Sequence, residues 1–240
     1  MTVSLQKRTD AAKTSIVNLL KQQKAEGIDL GELVAQVIIA IDFSYSMNLR
    51  YDNGEVQEAV ERALALSLSG LDDDGTIQVF FFDDDSYKME SVTEQNYQGF
   101  VSNWASRHSM GRTNYAPTIR DIVKFASGKK KLFRRSTDMA DQAPVFVIFV
   151  TDGEPYDQEA TKRELTSAAH LPIFWQFLGL GKVPFLNKLN TLSGRTIDNV
   201  GLTQMDDMSD MDDVAFFNSI IGEFFTKWLP EAREQGITRM

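Results

Sequence analysis

The stretch 33–47, LVAQVIIAIDFSYSM, decides the fold of this chain. Its first nine residues, 33–41, are almost entirely apolar, which is typical of a central strand that helices cover on both faces of a parallel sheet. The next six, 42–47, place a carboxylate and two hydroxyl groups directly after that strand. The stretch therefore predicts a buried strand that ends in oxygen-bearing side chains.

Short β-branched or aromatic runs alternate with helical patterns on both sides of this stretch. Strands are predicted at 33–41, 76–82, 144–151, 172–178 and 199–202, with a short edge strand at 86–89. Helices are predicted around 12–20 and at 56–68, 96–105, 116–126, 158–169 and 214–228. This alternation indicates βαβ units. The predicted fold class is α/β, Rossmann-like, with a central, mainly parallel sheet, one short antiparallel edge strand and helices on both faces.

The length of 240 residues suits one sizeable α/β domain. We predict an N-terminal helical extension at 1–30, one domain at 31–230 and a C-terminal tail at 231–240. The acidic runs 72–74 and 83–85 are predicted to be solvated turns. The one basic cluster, at 129–131 and 134–135, is predicted to lie on a solvated surface loop.

The amino-acid composition limits the cellular compartments and the classes of binding partner that are expected for this protein. The chain has no cysteine, which excludes disulfides and thiolate metal sites and fits a reducing compartment. It shows neither an apolar signal region nor an apolar run near the ~18 residues of a membrane span. A net charge of −9 argues against a general nucleic-acid binder. We therefore predict a cytoplasmic protein without a nucleic-acid or membrane partner.

A second strongly apolar strand ends in Thr151-Asp152-Gly153, so two central strands deliver oxygen ligands to one edge of the sheet. Asp42 and Asp152 would offset the charge of a divalent ion, and Ser44 and Ser46 would add neutral oxygens. This is the ligand chemistry of Mg²⁺, whereas the lack of Cys and His in these motifs disfavours Zn²⁺ and Cu²⁺. Either motif alone is weak, because such strings are common and Asp-Gly is often only a turn. Their placement after two buried strands favours a site.

The segment 42–47 resembles the D-x-S-x-S-M motif of von Willebrand factor A (VWA) domains, the core of their metal-ion-dependent adhesion site. The segments 111–114 (GRTN) and 151–153 (TDG) resemble the loop and the strand end that complete that site. The resemblance implies a divalent cation, Mg²⁺ with Ca²⁺ or Mn²⁺ as alternatives, and one position open for a carboxylate of a protein partner. The implied ligands are Asp42, Ser44, Ser46, Thr113 and Asp152.

Further segments resemble the bacterial VWA proteins encoded with tellurium-resistance and stress operons. They are 53–57, 61–62, 64–66, 72–75, 110–117, 152–155, 194–195 and 197–199. The resemblance covers residues 30–228 and implies a non-catalytic, metal-dependent protein-binding module, with other stress-operon proteins as candidate partners. The alternative is a hydrolase or phosphotransferase that uses the same ion, although the motifs offer no His, Lys or Cys as base or nucleophile.

Two residues at the predicted rim depart from the family pattern. Tyr45 stands between the serines, where the family usually has a small residue, and it would either contact the partner or cover the ion. Arg112 replaces the second glycine of the loop. Because arginine forks onto carboxylates, we hypothesise that Arg112 recognises an acidic partner residue. The alternative is that it points to solvent or pairs with an aspartate of the run 83–85.

Overall fold

The computed structural model describes residues 3–31, 33–72, 74–128 and 138–239. The basic cluster at 129–135 lies outside these residues. Within them, six strands are formed: β1 (Gln36–Asp42), β2 (Ile77–Phe82), β3 (Ser86–Val92), β4 (Val145–Thr151), β5 (Ile173–Leu180) and β6 (Val200–Met205). They form one sheet in the order β3-β2-β1-β4-β5-β6, in which only the edge strand β3 is antiparallel to its neighbour. The predicted α/β fold with one antiparallel edge strand is confirmed.

Helices cover both faces of the sheet, because side chains that alternate along a strand point to opposite faces. In β1, Val37, Ile39 and Ile41 enter one core, while Ile38 and Ala40 enter the other. No helix in the described ranges is long and apolar enough to cross a membrane. The helices are α1 (Leu5–Ala25), α2 (Asn48–Asp52), α3 (Glu55–Leu66), α4 (Phe100–Ala105), α5 (Ala116–Gly128), α6 (Gln158–Ala168), α7 (Pro184–Asn190), α8 (Asp213–Glu223) and α9 (Leu229–Glu234).

The structure corrects several predicted boundaries. The helix expected at 96–105 begins only at Phe100, because Gly99 adopts a left-handed conformation with φ of 68° that ends the preceding turn. The first strand begins at Gln36 rather than at 33 and includes Asp42. The closing helix does not stop at 228: a π-helical turn, Phe224–Trp228, carries α8 into α9. Propensity patterns place elements well and their ends poorly.

The N-terminal helix α1 packs against α3 and α8, and buried ion pairs connect the three. Arg8 lies 3.1 Å from Glu58 and 3.5 Å from Asp213, and Arg62 lies 3.0 Å from the same Asp213 carboxylate. In the segment predicted as a tail, Ile237 is buried. The division into extension, domain and tail stays a prediction.

The sheet changes its winding direction at β1. From β1 the chain passes to β2 and β3 on one side, and it then returns to β4 on the other side. The carboxyl ends of β1 and β4 therefore border the switch-point crevice, where α/β proteins bind ligands. Asp42 is the last residue of β1, and Asp152 follows the last residue of β4.

Candidate metal site

A chain of hydrogen bonds connects four of the five predicted ligands. The Ser44 Nα–H donates to Asp42 Oδ1 over 2.8 Å, and the hydroxyl oxygens of Ser44 and Ser46 lie 3.1 Å apart. Ser46 Oγ in turn donates to Asp152 Oδ1 over 2.6 Å. Ser46 and Asp152, which are 106 positions apart in the sequence, thus meet in one crevice.

The fifth predicted ligand, Thr113, reaches the crevice from a separate loop. That loop pairs with the serine turn, since Ser44 and Gly111 form a parallel bridge. Thr113 Oγ1 and Ser46 Oγ lie 3.6 and 3.4 Å from the position that a Cβ atom on Gly153 would take. All five predicted side chains therefore border the same crevice, and their role as ligands stays a prediction.

The carboxylate of Asp42 is fully buried and contacts only neutral donors. Besides the backbone N–H of Ser44, Thr151 Oγ1 donates to Asp42 Oδ2 over 2.6 Å. Burial raises the pKa of Asp42 from 3.8 to about 7, although the hydrogen bonds from Ser44 and Thr151 lower it. A buried carboxylate that lacks an opposite charge is costly. A cation bound beside it would relieve this cost.

The donor set fits a hard divalent cation. It comprises two carboxylates and three hydroxyls, and oxygen donors of this kind, completed by water, suit Mg²⁺, Ca²⁺ or Mn²⁺. The residues that the structure describes contain no cluster of three or more His, Cys, Asp or Glu side chains that could hold a metal. A site here would therefore depend on the hydroxyl oxygens as well as on Asp42 and Asp152.

Arg50 is a neighbour of the site that sequence reasoning missed. Its Nε lies 3.5 Å from Asp152 Oδ2, and its Nη1 lies 2.7 Å from Glu55 Oε2. It also donates to the carbonyl oxygens of Leu180 and Asp206, each over 3.0 Å. Arg50 therefore joins Asp152 to the carboxyl ends of β5 and β6 and offsets part of the negative charge.

Two tyrosines support the same edge of the sheet, of which Tyr115 is fully buried and Tyr51 partly buried. The Tyr51 hydroxyl donates to the carbonyl oxygen of Asp42 over 2.9 Å. The Tyr115 hydroxyl bonds to the carbonyl oxygen of Gly153 and lies 3.1 Å from Thr151 Oγ1. Burial raises the pKa of both tyrosines well above the ordinary value. Both hydroxyls therefore stay neutral and act as hydrogen-bond donors near neutral pH.

The acidic runs are more than solvated turns, so that prediction is wrong for Asp72 and Asp83, which are both buried. Asp72 accepts from the backbone N–H of Val37 over 2.8 Å at the start of β1. In the second run, the carbonyl oxygen of Asp83 accepts from the backbone N–H of Asn114 over 2.8 Å. Asp72 thus fixes the backbone at the start of β1, and Asp83 fixes the loop of Thr113 beside the crevice.

Gly111 leaves no room for a side chain beside this acidic turn. A Cβ atom there would lie 2.8 Å from Oδ2 of Asp83 and 2.8 Å from Oδ2 of Asp84. We expect Gly111→Ala to displace the loop and to lower the free energy of unfolding by roughly 1–3 kcal/mol, measured by urea denaturation. Gly222→Ala is the matched control, because nothing lies within 4 Å of its Cβ position in α8. There the free energy should rise by roughly 0.5–1 kcal/mol; the same sign in both variants would contradict the prediction.

The two predicted rim residues are both exposed. Tyr45 is 79% exposed. Arg112 contacts the acidic run through its backbone, whose N–H donates to Asp84 Oδ2 over 3.1 Å. Its guanidinium carbon lies 5.9 Å from the ring centroid of Tyr156, within the range of a cation–π contact. The position of Tyr45 favours contact with a partner over a lid on the ion.

The sheet order and the oxygen-bearing switch-point crevice agree with the fold of a VWA domain. The family model vWA-TerF-like, described as the vWA found in the TerF C terminus, matches residues 34–238. The chain belongs to this family, which confirms the predicted resemblance.

Other comparisons agree with this assignment. The uncharacterized protein YcbR of Bacillus subtilis (strain 168) is 30% identical over 236 residues, which are 96% of this chain and 90% of YcbR. The SpRpn10 VWA domain superposes with a TM-score of 0.53 and 10% identity over 77% of this chain and 94% of that domain. Proximal thread matrix protein 1 from the mussel byssus gives a TM-score of 0.52 and 15% identity over 79% of this chain and 47% of that protein. At these identities the two structures show the fold alone.

Proposed function

We propose that this chain is a metal-dependent protein-binding module in which Asp42, Ser44, Ser46, Thr113 and Asp152 hold one divalent cation. The observation that carries the proposal is the fully buried Asp42 carboxylate, which has only neutral donors and lies in a crevice bordered by hydroxyl oxygens. Mg²⁺ is favoured over Ca²⁺ and Mn²⁺, because Mg²⁺ is commonly bound through one or two carboxylates and keeps several waters.

The charge balance of the site suits an acidic ligand. Two carboxylates leave a divalent ion about neutral, and Arg50 already offsets part of the charge of Asp152. When bound, the cation supplies an exchangeable coordination position for a carboxylate of a protein partner. VWA domains serve as protein-interaction modules, which agrees with this role.

We also propose a non-catalytic role, in the cytoplasm, within a tellurium-resistance or general stress-response system. The biological setting rests on the resemblance to the bacterial branch of the family. The non-catalytic role is supported by the motifs of the site, which offer no His, Lys or Cys as base or nucleophile. A metal-dependent hydrolase would need a positioned general base.

Calorimetric titration with Mg²⁺, Ca²⁺ and Mn²⁺ tests the proposal. We expect the wild type to bind one ion per chain, and we expect Ser46→Ala and Thr113→Val each to weaken binding. The loss should be at least the roughly tenfold that removal of an outer partner of a metal ligand typically causes. Thr14→Val, on an exposed face of α1, is the matched control and should bind as the wild type does. Equal affinity of all four proteins would contradict the site.

A further inference from the structure

The most exposed large hydrophobic side chains of the described residues lie next to the candidate metal site, two of them on its loops and one at the start of α2. Tyr45 is 79% exposed, Tyr156 78% and Leu49 74%, while the next, Val17 on α1, is 45% exposed. Single exposed hydrophobic residues are ordinary on protein surfaces, but a group of them beside a site indicates an interaction surface. We call Tyr45, Leu49, Tyr156 and Arg112 the apolar rim.

Backbone hydrogen bonds bring Tyr45, Arg112 and Tyr156 together from three loops. The N–H of Tyr45 donates to the carbonyl oxygen of Gly111 over 3.2 Å, and the N–H of Tyr156 donates to that of Thr113 over 2.9 Å. Gly111 and Thr113 are the sequence neighbours of Arg112, so the two tyrosine backbones lie on either side of Arg112. Leu49 lies in the first turn of α2, which directly follows the turn that carries Tyr45 and Ser46.

The apolar rim combines hydrophobic area with positive charge. The guanidinium carbon of Arg112 is 5.9 Å from the centroid of the Tyr156 ring, and Arg112 precedes Thr113 in the same loop. Arginine and tyrosine are enriched among the residues that dominate binding energy at interfaces. A carboxylate complements the cation and Arg112, whereas an apolar side chain complements Tyr45, Leu49 and Tyr156.

We infer that the partner is a protein segment in which an Asp or Glu side chain is accompanied, within two residues, by an aliphatic or aromatic side chain. The acidic group faces the metal and Arg112, and the apolar side chain lies on the apolar rim. This inference rests on the proposed function, since it requires the bound cation.

A peptide selection tests the inference. The probe is a library of short peptides with a central Asp and randomised flanks, selected on the immobilised wild-type chain in MgCl₂ and, separately, in EDTA. We expect enrichment that depends on Mg²⁺, with aliphatic or aromatic residues within two positions of the Asp. A synthetic copy of the most enriched peptide should lose binding when its Asp is changed to Asn.

Variants of the chain then locate the contact. Leu49→Ser and Tyr156→Ser should each weaken binding of the enriched peptide by about tenfold or more. Val17→Ser is the matched control, because this substitution removes an exposed apolar side chain from α1. The Val17→Ser variant should bind the peptide as the wild type does. A parallel loss of Mg²⁺ affinity in Leu49→Ser or Tyr156→Ser would overturn the assignment, because these side chains would then act through the metal site.

The remaining outcomes separate this inference from the proposed function. Enrichment of acidic peptides with polar flanks would overturn the inference and support the proposed function. If no peptide is enriched on a chain that binds Mg²⁺ in calorimetry, the inference alone would be overturned. Mg²⁺-dependent dimers in sedimentation that disappear in Tyr156→Ser would show that a second copy of the chain covers the rim, against the inference. Failure to bind any divalent ion would overturn both.

Discussion

Asp42→Asn abolishes detectable Mg²⁺ binding and stabilises the metal-free protein at pH 8; this is the first of the two largest effects that we expect. The amide keeps an oxygen for the N–H of Ser44 and offers a donor to Thr151 Oγ1, so the buried contacts survive. It removes the charge that the cation requires. It also removes the cost of burying a carboxylate without an opposite charge.

The size and sign of the stability effect follow from the pKa of Asp42, which burial raises from its ordinary value of 3.8 to about 7 in the folded protein. Between these values the folded state holds a proton that the unfolded state has lost. The contribution of Asp42 to the stability of the metal-free wild type therefore falls as pH rises from about 4 to 7, and it levels off above pH 7. The difference between these two pKa values corresponds to about 4 kcal/mol. The variant should gain up to this amount at pH 8 and little at pH 4.

Urea denaturation in EDTA between pH 4 and pH 8 measures this effect. Asp121→Asn, at an exposed position of α5, is the matched control and should change stability by less than about 0.5 kcal/mol at every pH. With Mg²⁺ at a hundred times its dissociation constant, the wild type should gain about 2.7 kcal/mol and the Asp42 variant nothing. A variant that is equally destabilised at both pH values, or that still responds to Mg²⁺, would contradict the role of Asp42.

Much of the fold and of the site geometry could be predicted from sequence because the signals are local. The apolar run before Asp42 indicates a buried strand, and the polar residues after it lie at the carboxyl end of that strand. A second such run before Asp152 implies that the two ends meet, since parallel central strands share an edge. The structure places these side chains in one hydrogen-bonded crevice.

What the sequence did not show depends on contacts between distant loops. Arg50 meets Leu180 and Asp206, which are 130 and 156 positions away, and nothing around residue 50 indicates either contact. Asp83 belongs to a run of three aspartates that is typical of a solvated turn, yet tertiary packing buries it. Nothing in the sequence around Tyr156 indicates that its backbone N–H donates to the carbonyl oxygen of Thr113. Such partners are set by the topology and not by local pattern.

The second large effect that we expect is a loss of stability in Arg50→Met, because this variant leaves Glu55 buried without its opposite charge. Glu55 is 7% exposed, and Arg50 Nη1 lies 2.7 Å from its carboxylate. The carbonyl oxygens of Leu180 and Asp206 also lose a charged donor. Removing one partner of a buried ion pair typically costs about 3–5 kcal/mol, and we expect urea denaturation to show a loss of this size. Mg²⁺ affinity should fall as well, since Asp152 loses the contact that orients it.

The control for this prediction is Arg120→Met, which makes the same substitution in an exposed ion pair. Arg120 is 54% exposed and lies 3.0 Å from Glu164, so its loss should cost less than about 1 kcal/mol. Adding Glu55→Gln to Arg50→Met should restore part of the lost stability, because no buried carboxylate then lacks a partner. If the double variant were as unstable as the sum of its single variants, the loss would come from the packing of the arginine side chain and from its bonds to the two carbonyl oxygens. If Arg50→Met cost no more than Arg120→Met, Arg50 would not be the charge that holds this edge of the sheet together.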